Sequence, residues 1–263
     1  MFVIRSQLPA LPVLALLCLC SGNAFAQVDV DRLRNLPVEA ETDELLLLQP
    51  LTPNALPSVC EVIGDLPTRA IAGRVVEASG EVFVERLGRR LPRQRGDNIM
   101  DDDHIITNDN SYVRIRFIDS ALVALSENSH MHLYAYWYER SPVVVTDDDC
   151  AAIELLQGGV RLITGDIARR DPNRFEILVH ANNEFPRVAA RSNEIVDMEI
   201  KVDARDGSVY TAVYSGGSRV TSQGDQLNLG VGAGFDFAEV SPDGDVQGLT
   251  RLPQQLQSPF LQR

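Results

Sequence analysis

His130 and His132 stand two residues apart, and on a strand that spacing turns both imidazoles to one side. Two neutral ring nitrogens so placed could hold a transition metal if a third ligand joined them. No cysteine or carboxylate stands at a diagnostic distance along the chain, so an exposed strand face is the plainer reading and no metal is assigned. Asp101-Asp102-Asp103-His104 and Asp147-Asp148-Asp149 offer the hard oxygens that calcium takes, but neither has the D-x-D-x-D-G loop, and both read as solvated turns. Nucleophilic hydrolysis finds no G-x-S-x-G elbow and no S-x-x-K, and Ser215-Gly216-Gly217-Ser218 lacks a strand-to-helix setting. No P-loop or dinucleotide fingerprint occurs. The chain is therefore expected to be no enzyme, with no catalytic residue and no cofactor.

Two groups of side chains suit contact better than reaction. Tyr134, Tyr136, Trp137 and Tyr138 form the one aromatic concentration. Because side chains alternate along a strand, Tyr136 and Tyr138 share one side and Trp137 takes the other. Large amphipathic rings left open anchor proteins or sugars, so these four are the candidate partner-binding residues; the alternative is that the N-terminal arm covers them. Arg89-Arg90-Leu91-Pro92-Arg93-Gln94-Arg95 could dock carboxylates, since guanidinium forks take them two-pronged. A solvated hairpin arm balancing nearby aspartates is the simpler account. Lys201 is the single lysine in the chain.

The 263 residues carry a formal charge of −13. Met1 to Ala26 has a lone Arg5, an apolar run from Leu11 to Leu19 and Ala24-Phe25-Ala26 at its end, the pattern of a cleaved signal peptide. The remainder, from Gln27, is then more acidic still at −14. A field of that sign argues against nucleic acid and against anionic membranes. No later segment approaches the roughly 20 apolar residues that span a bilayer, and the chain is expected to be periplasmic or extracellular. Only Cys60 and Cys150 remain after cleavage, an even count in an oxidising compartment, which predicts a Cys60–Cys150 disulfide against the alternative of two isolated thiols.

The rest of the sequence supplies short strands. Residues 27–69 read as an arm with two short helices, at Val30 to Leu36 and Glu41 to Leu48, before prolines 50, 53 and 57 break regularity. The leucines at 45–48 are expected to dock on the following domain or on a partner. Residues 70–240 read as β throughout: Gly80 marks a bend, Leu87-Gly88 a turn, and Val113, Ile115 and Phe117 face inward while Arg114 and Arg116 face out. Asp119-Ser120 interrupts that strand, and Leu122-Val123 resumes as the second arm of a hairpin. Val143 to Val145 and Val209 to Tyr214 are further strands, and residues 241–263 form a polar, proline-spaced surface tail. The fold class is all-β, with many short antiparallel strands in a sandwich or a solenoid-like roll and a short N-terminal helical arm.

Gly96, Asp97, Ile99, Ile106, Thr107, Asn110, Ser111, Val113, Ile115, Phe117, Asp119, Leu122 and Leu125 stand where the FecR periplasmic domain pattern wants them, and the chain resembles that family from about Gly73 to Phe237. Gly158-Gly159-Val160-Arg161 and Leu227-Asn228-Leu229 match further steps of the pattern. It departs at Ser120-Ala121, where Gly-Ser is usual, and at Ala190-Arg191-Ser192-Asn193-Glu194-Ile195, which keeps only the arginine of the family's V-R-G-T-x-F tag. The resemblance implies the roll and a signalling role without catalysis. Classical members pass a signal from an outer-membrane receptor to a sigma factor through a membrane span and a cytoplasmic segment. This chain, with a leader and no span, is expected to be a stand-alone module that contacts an envelope protein, receptor or sensor, by a strand edge or the aromatic stretch. The other reading is a glycan-binding or peptidoglycan-binding envelope protein.

Overall fold

The computed structural model describes Cys60 and residues 70–139, 149–181 and 184–256. The chain enters a first sheet with β1 (Ile71–Ser79) and crosses to a second for the hairpin β2 (Val82–Arg86) and β3 (Arg89–Pro92). It returns for β4 (Asn98–Met100), crosses for β5 (His104–Thr107), and returns again for β6 (Tyr112–Phe117) and β7 (Leu122–Leu125). Then β8 (Ser129–Trp137) and β9 (Cys150–Gln157) join the second sheet and β10 (Gly159–Ile163) the first, before a single helical turn, α1 (Asp166–Arg170). The second sheet takes β11 (Phe175–Val179) and β12 (Arg187–Ala190), the first β13 (Asp197–Val202) and β14 (Val209–Ser215). Finally β15 (Gly217–Ser222) and β16 (Asp225–Gly230) extend the second sheet, and β17 (Phe237–Val240) and β18 (Val246–Leu249) the first.

Two nine-stranded sheets result, ordered β18-β17-β14-β13-β10-β7-β6-β1-β4 and β16-β15-β12-β11-β9-β8-β5-β2-β3. The sandwich and roll readings are thus both met: the layers are those of a sandwich, and the chain fills them by advancing along both in step. Neighbours are antiparallel except β9 and β11. Inward side chains of both sheets form one core, with Ile115, Leu125 and Leu162 from the first meeting Met131, Leu155 and Ile177 from the second.

The hairpin β6–β7 pairs Ile115 with Val123 and Val113 with Leu125, and Val113, Ile115 and Phe117 are buried as alternation requires. Ser120 takes φ 75°, a conformation that glycine adopts without strain, which accounts for the glycine usual there in the family it resembles. Leu87 and Gly88 both have positive φ and make the tight β2–β3 turn.

Two sequence expectations change here. As far as residue 256 the expected surface tail is more than that, because β18 pairs with β17 and Leu256 is fully buried against Tyr210 and Ala212. Leucines 249, 252 and 256 bring enough apolar surface to cover the outer face of the first sheet there. The aspartates at 101–103 are not a solvated turn: Asp101 and Asp103 are 2% and 0% exposed. Asp103 takes the Arg86 fork and the Met100 N–H, which stabilises its charge inside. The leader, the helical arm and the strand at 143–145 lie outside the described residues.

Cys60 and Cys150 are bonded, with Cα atoms 5.7 Å apart and positions 90 apart in sequence. Chain entropy assigns a loop of that length about 4 to 5 kcal/mol. Thiol titration of the denatured, unreduced protein is expected to find none free, and the double serine variant to lose stability of that order in urea unfolding; two titratable thiols would contradict the bond.

Candidate functional site

The four candidate rings lie at the end of β8, and one irregularity decides where each points. Register shifts between Leu133 and Ala135, so two consecutive residues share one side and the alternation restarts a residue late. Met131 and Leu133 face the core; Tyr134 and Ala135 pack outward beside Cys60 and Cys150; Tyr136 turns back inward. Tyr136 is 2% exposed, stacks on Phe117 at 4.4 Å, and donates its hydroxyl to Asp119. It therefore cannot meet a partner, contrary to the expectation from its ring chemistry. Trp137, 37% exposed, is the ring with an open face. Tyr138 is half-buried, its hydroxyl bonded to Asp166 at 2.9 Å and its ring under the Arg170 guanidinium, which also reaches Asp149.

Asp119 is the polar centre beneath these rings. It is 2% exposed and accepts from the Tyr136 hydroxyl, the Ala121 N–H at 3.0 Å and the Ile167 N–H at 3.3 Å, while its carbonyl takes the Asp166 N–H at 2.9 Å. Burial raises its pKa, and those donors oppose the rise. Gly165 must lack a side chain because a Cβ there would lie 2.4 Å from the Asp119 carboxylate.

The outer face of the second sheet gathers the chain's histidines. His104 on β5 lies opposite His132 on β8, their rings parallel with centroids 4.0 Å apart, and His104 Nδ1 is 3.0 Å from His130 Nε2. His132 is gripped by Glu154 at 2.7 Å and Asp102 at 3.2 Å, and His180 lies within electrostatic reach of His130 and His132. The expected exposed face is thus a half-buried cluster. Burial, then the charge of neighbouring histidines, lowers His104 and His130 to about 4. Burial pulls His132 down too, but its hydrogen bonds to Glu154 and Asp102 outweigh that and raise it. Among the described residues no group of three or more His, Cys, Asp or Glu side chains is arranged to hold a metal ion.

On the opposite sheet a groove of about 820 Å³ is lined by Glu77, Arg114, Arg161 and Glu199, which stand in one row across the strands. All four of these charges are engaged. Arg114 meets Glu77 at 3.2 Å, Arg161 forks onto Asp197, and Tyr214 donates to Glu199 at 2.8 Å.

Comparison with known proteins adds the following. Two crystal structures of a "putative anti-sigma factor" from Parabacteroides distasonis ATCC 8503 are similar. Their identities are 15% and 14% and their TM-scores 0.41 and 0.39. Each match covers 56% of this chain and 58% of the other, so the chain spans under two thirds of their length. No family model and no curated protein matches. Among the described residues no helix is long and apolar enough to cross a membrane.

Of the sequence candidates, the structure brings Tyr136 to Asp119 and Tyr138 to Asp166 and Arg170, and leaves Trp137 open. Sequence reading missed Asp101, Asp119 and His104 as partners of β8. The signal lay in strand register, which spacing along the chain does not give.

Two predictions follow from these contacts. Asp119→Ala strands the Tyr136 hydroxyl and two backbone N–H groups, so urea unfolding should show a loss of about 3 kcal/mol, and Tyr136→Phe a loss of about 1 to 2. For the histidines the sign is set by pKa values held below the unfolded 6.5. The unfolded chain then binds more protons between pH 6.5 and 4, and these two groups cost stability as pH falls through that window. Asp101, pushed up to about 6 chiefly by burial, works the other way between 6 and 4. The difference between wild type and His104→Gln/His130→Gln isolates the histidines. Melting temperatures should show the wild type losing more on going from pH 7 to 4.5, and parallel curves would contradict the cluster.

Proposed function

We propose that this chain is a non-catalytic envelope module, periplasmic or extracellular, that works by contact with a receptor or sensor protein. The leader-like first 26 residues and the FecR-like strand spacing support the compartment and the class. The observation that carries the contact reading is Trp137: an open indole whose chain neighbour Tyr138 is fixed in place by Asp166 and Arg170. Tryptophan, tyrosine and arginine are the residues that most often concentrate binding energy, and side chains already ordered lose little freedom on docking. The glycan reading asks for several open rings in a row, and with Tyr136 in the core, Tyr138 engaged and Tyr134 partly covered beside Cys60 and Cys150, Trp137 is the most open of the four, which favours protein contact.

The test is crosslinking capture from envelope extract by the mature chain, with sacculi pelleted in parallel. Trp137→Ala should cut capture about tenfold or more, as loss of an anchor ring does, while Tyr136→Phe leaves it unchanged at a temperature where both stay folded. Unchanged capture by Trp137→Ala would remove this surface from the account, and co-pelleting with sacculi would move the reading to glycan.

A further inference from the structure

The β2–β3 hairpin carries a charge opposite to that of the protein around it. Residues 86–95 hold five arginines and no acid in a chain of net charge −13. Arg86 is committed to Asp103. Arg89, Arg90, Arg93 and Arg95 have no ion pair among the described residues, although Glu85 lies directly opposite Arg90 across the hairpin. Nearby carboxylates are used elsewhere: Glu81 accepts from Asn108, and Asp97 from the Gln94 N–H.

β3 is the outermost strand of its sheet, so these guanidinium groups line an edge. They are also partly ordered. Arg90 lies over the Phe83 ring at 4.3 Å and touches Asn108 at 3.3 Å. Arg93 donates one nitrogen to the Pro92 carbonyl at 3.3 Å, while its Nε is buried with no partner. The buried Nε is closed to an incoming group, so a carboxylate can meet Arg93 only at its terminal nitrogens.

We propose that the β3 edge is a docking surface for a short acidic segment of another protein that runs along the edge between Arg90, on the face of Phe83, and Arg93, on the face of Val82, with Arg89 and Arg95 flanking. Charge complementarity carries the assignment: a patch of one sign on a body of the other. It also selects the partner's size. A nucleic acid or an anionic membrane extends beyond the patch and meets the repulsion of the acidic remainder, whereas a peptide of a few residues sits inside it. Contact is through side chains, because Pro92 removes a backbone donor from the edge and disfavours strand addition. Keeping stray strands away requires only exposed charge and a proline, and does not explain the ordering of Arg90 on Phe83. The surface is separate from Trp137, which sits on β8 with β5 and β2 intervening, so the two stand or fall independently.

The experiment is fluorescence anisotropy of a labelled eight-residue Glu/Ser peptide with the mature chain at low salt, alongside a single-stranded oligonucleotide and phosphatidylglycerol vesicles. The expected result is saturable peptide binding that weakens about tenfold in Arg90→Gln/Arg93→Gln, equivalent to about 1.4 kcal/mol. Recovery in Arg90→Lys/Arg93→Lys should be partial, since charge returns without the fork, and Arg219→Gln/Arg251→Gln should bind as wild type. Circular dichroism checks that every variant is folded. No saturable binding, equal binding by the Gln variant, or oligonucleotide or vesicle binding as tight as the peptide's would each overturn the proposal.

Discussion

A carboxylate kept out of water holds the centre of this molecule together. Asp119 sits at the tip of the β6–β7 hairpin in the first sheet, yet its acceptors serve Tyr136 of the second sheet and the start of α1. Burying such a group is unfavourable unless every lone pair finds a donor. The surrounding chain is shaped to supply them, with Ser120 in a left-handed turn and Gly165 reduced to a hydrogen so that the helical turn can close on the carboxylate. Hydrophobic contact alone would permit the sheets to slide over one another; the directional bonds at Asp119 fix their offset.

The same constraint explains why the aromatic stretch divides as it does. To reach Asp119, Tyr136 must point inward, and the bulge at Leu133 to Ala135 provides the change of phase. Trp137 is turned outward by the residue that precedes it. Asp101 reinforces this by accepting the Tyr136 N–H at 2.7 Å, so both the ring and the backbone of that residue are held by buried acids.

Much of the architecture was legible in the sequence because it rests on local rules. Alternation at 113–117, the turn at Leu87-Gly88 and the count of two cysteines each depend on neighbours in the chain or on bonding arithmetic. What escaped depends on register between distant strands. His104 and His132 are 28 positions apart by number and directly opposite by pairing, and Asp101 and Asp119 gain their roles only once β8 is laid beside them. The tail misled for a different reason: its polar composition hides three leucines whose spacing suits a sheet surface.

The order in which the strands fill the two layers also bears on how such a molecule can be made. After β1 and β2 open the two sheets, each new strand joins a sheet beside one already laid down, as β10 does beside β7 and β15 beside β12. A chain emerging amino end first can therefore lay itself down progressively, each strand finding its template in place, without waiting for the far end to arrive. The disulfide is the exception: Cys60 comes out early and cannot be joined until Cys150 follows 90 residues later, so that link closes around a body already half built.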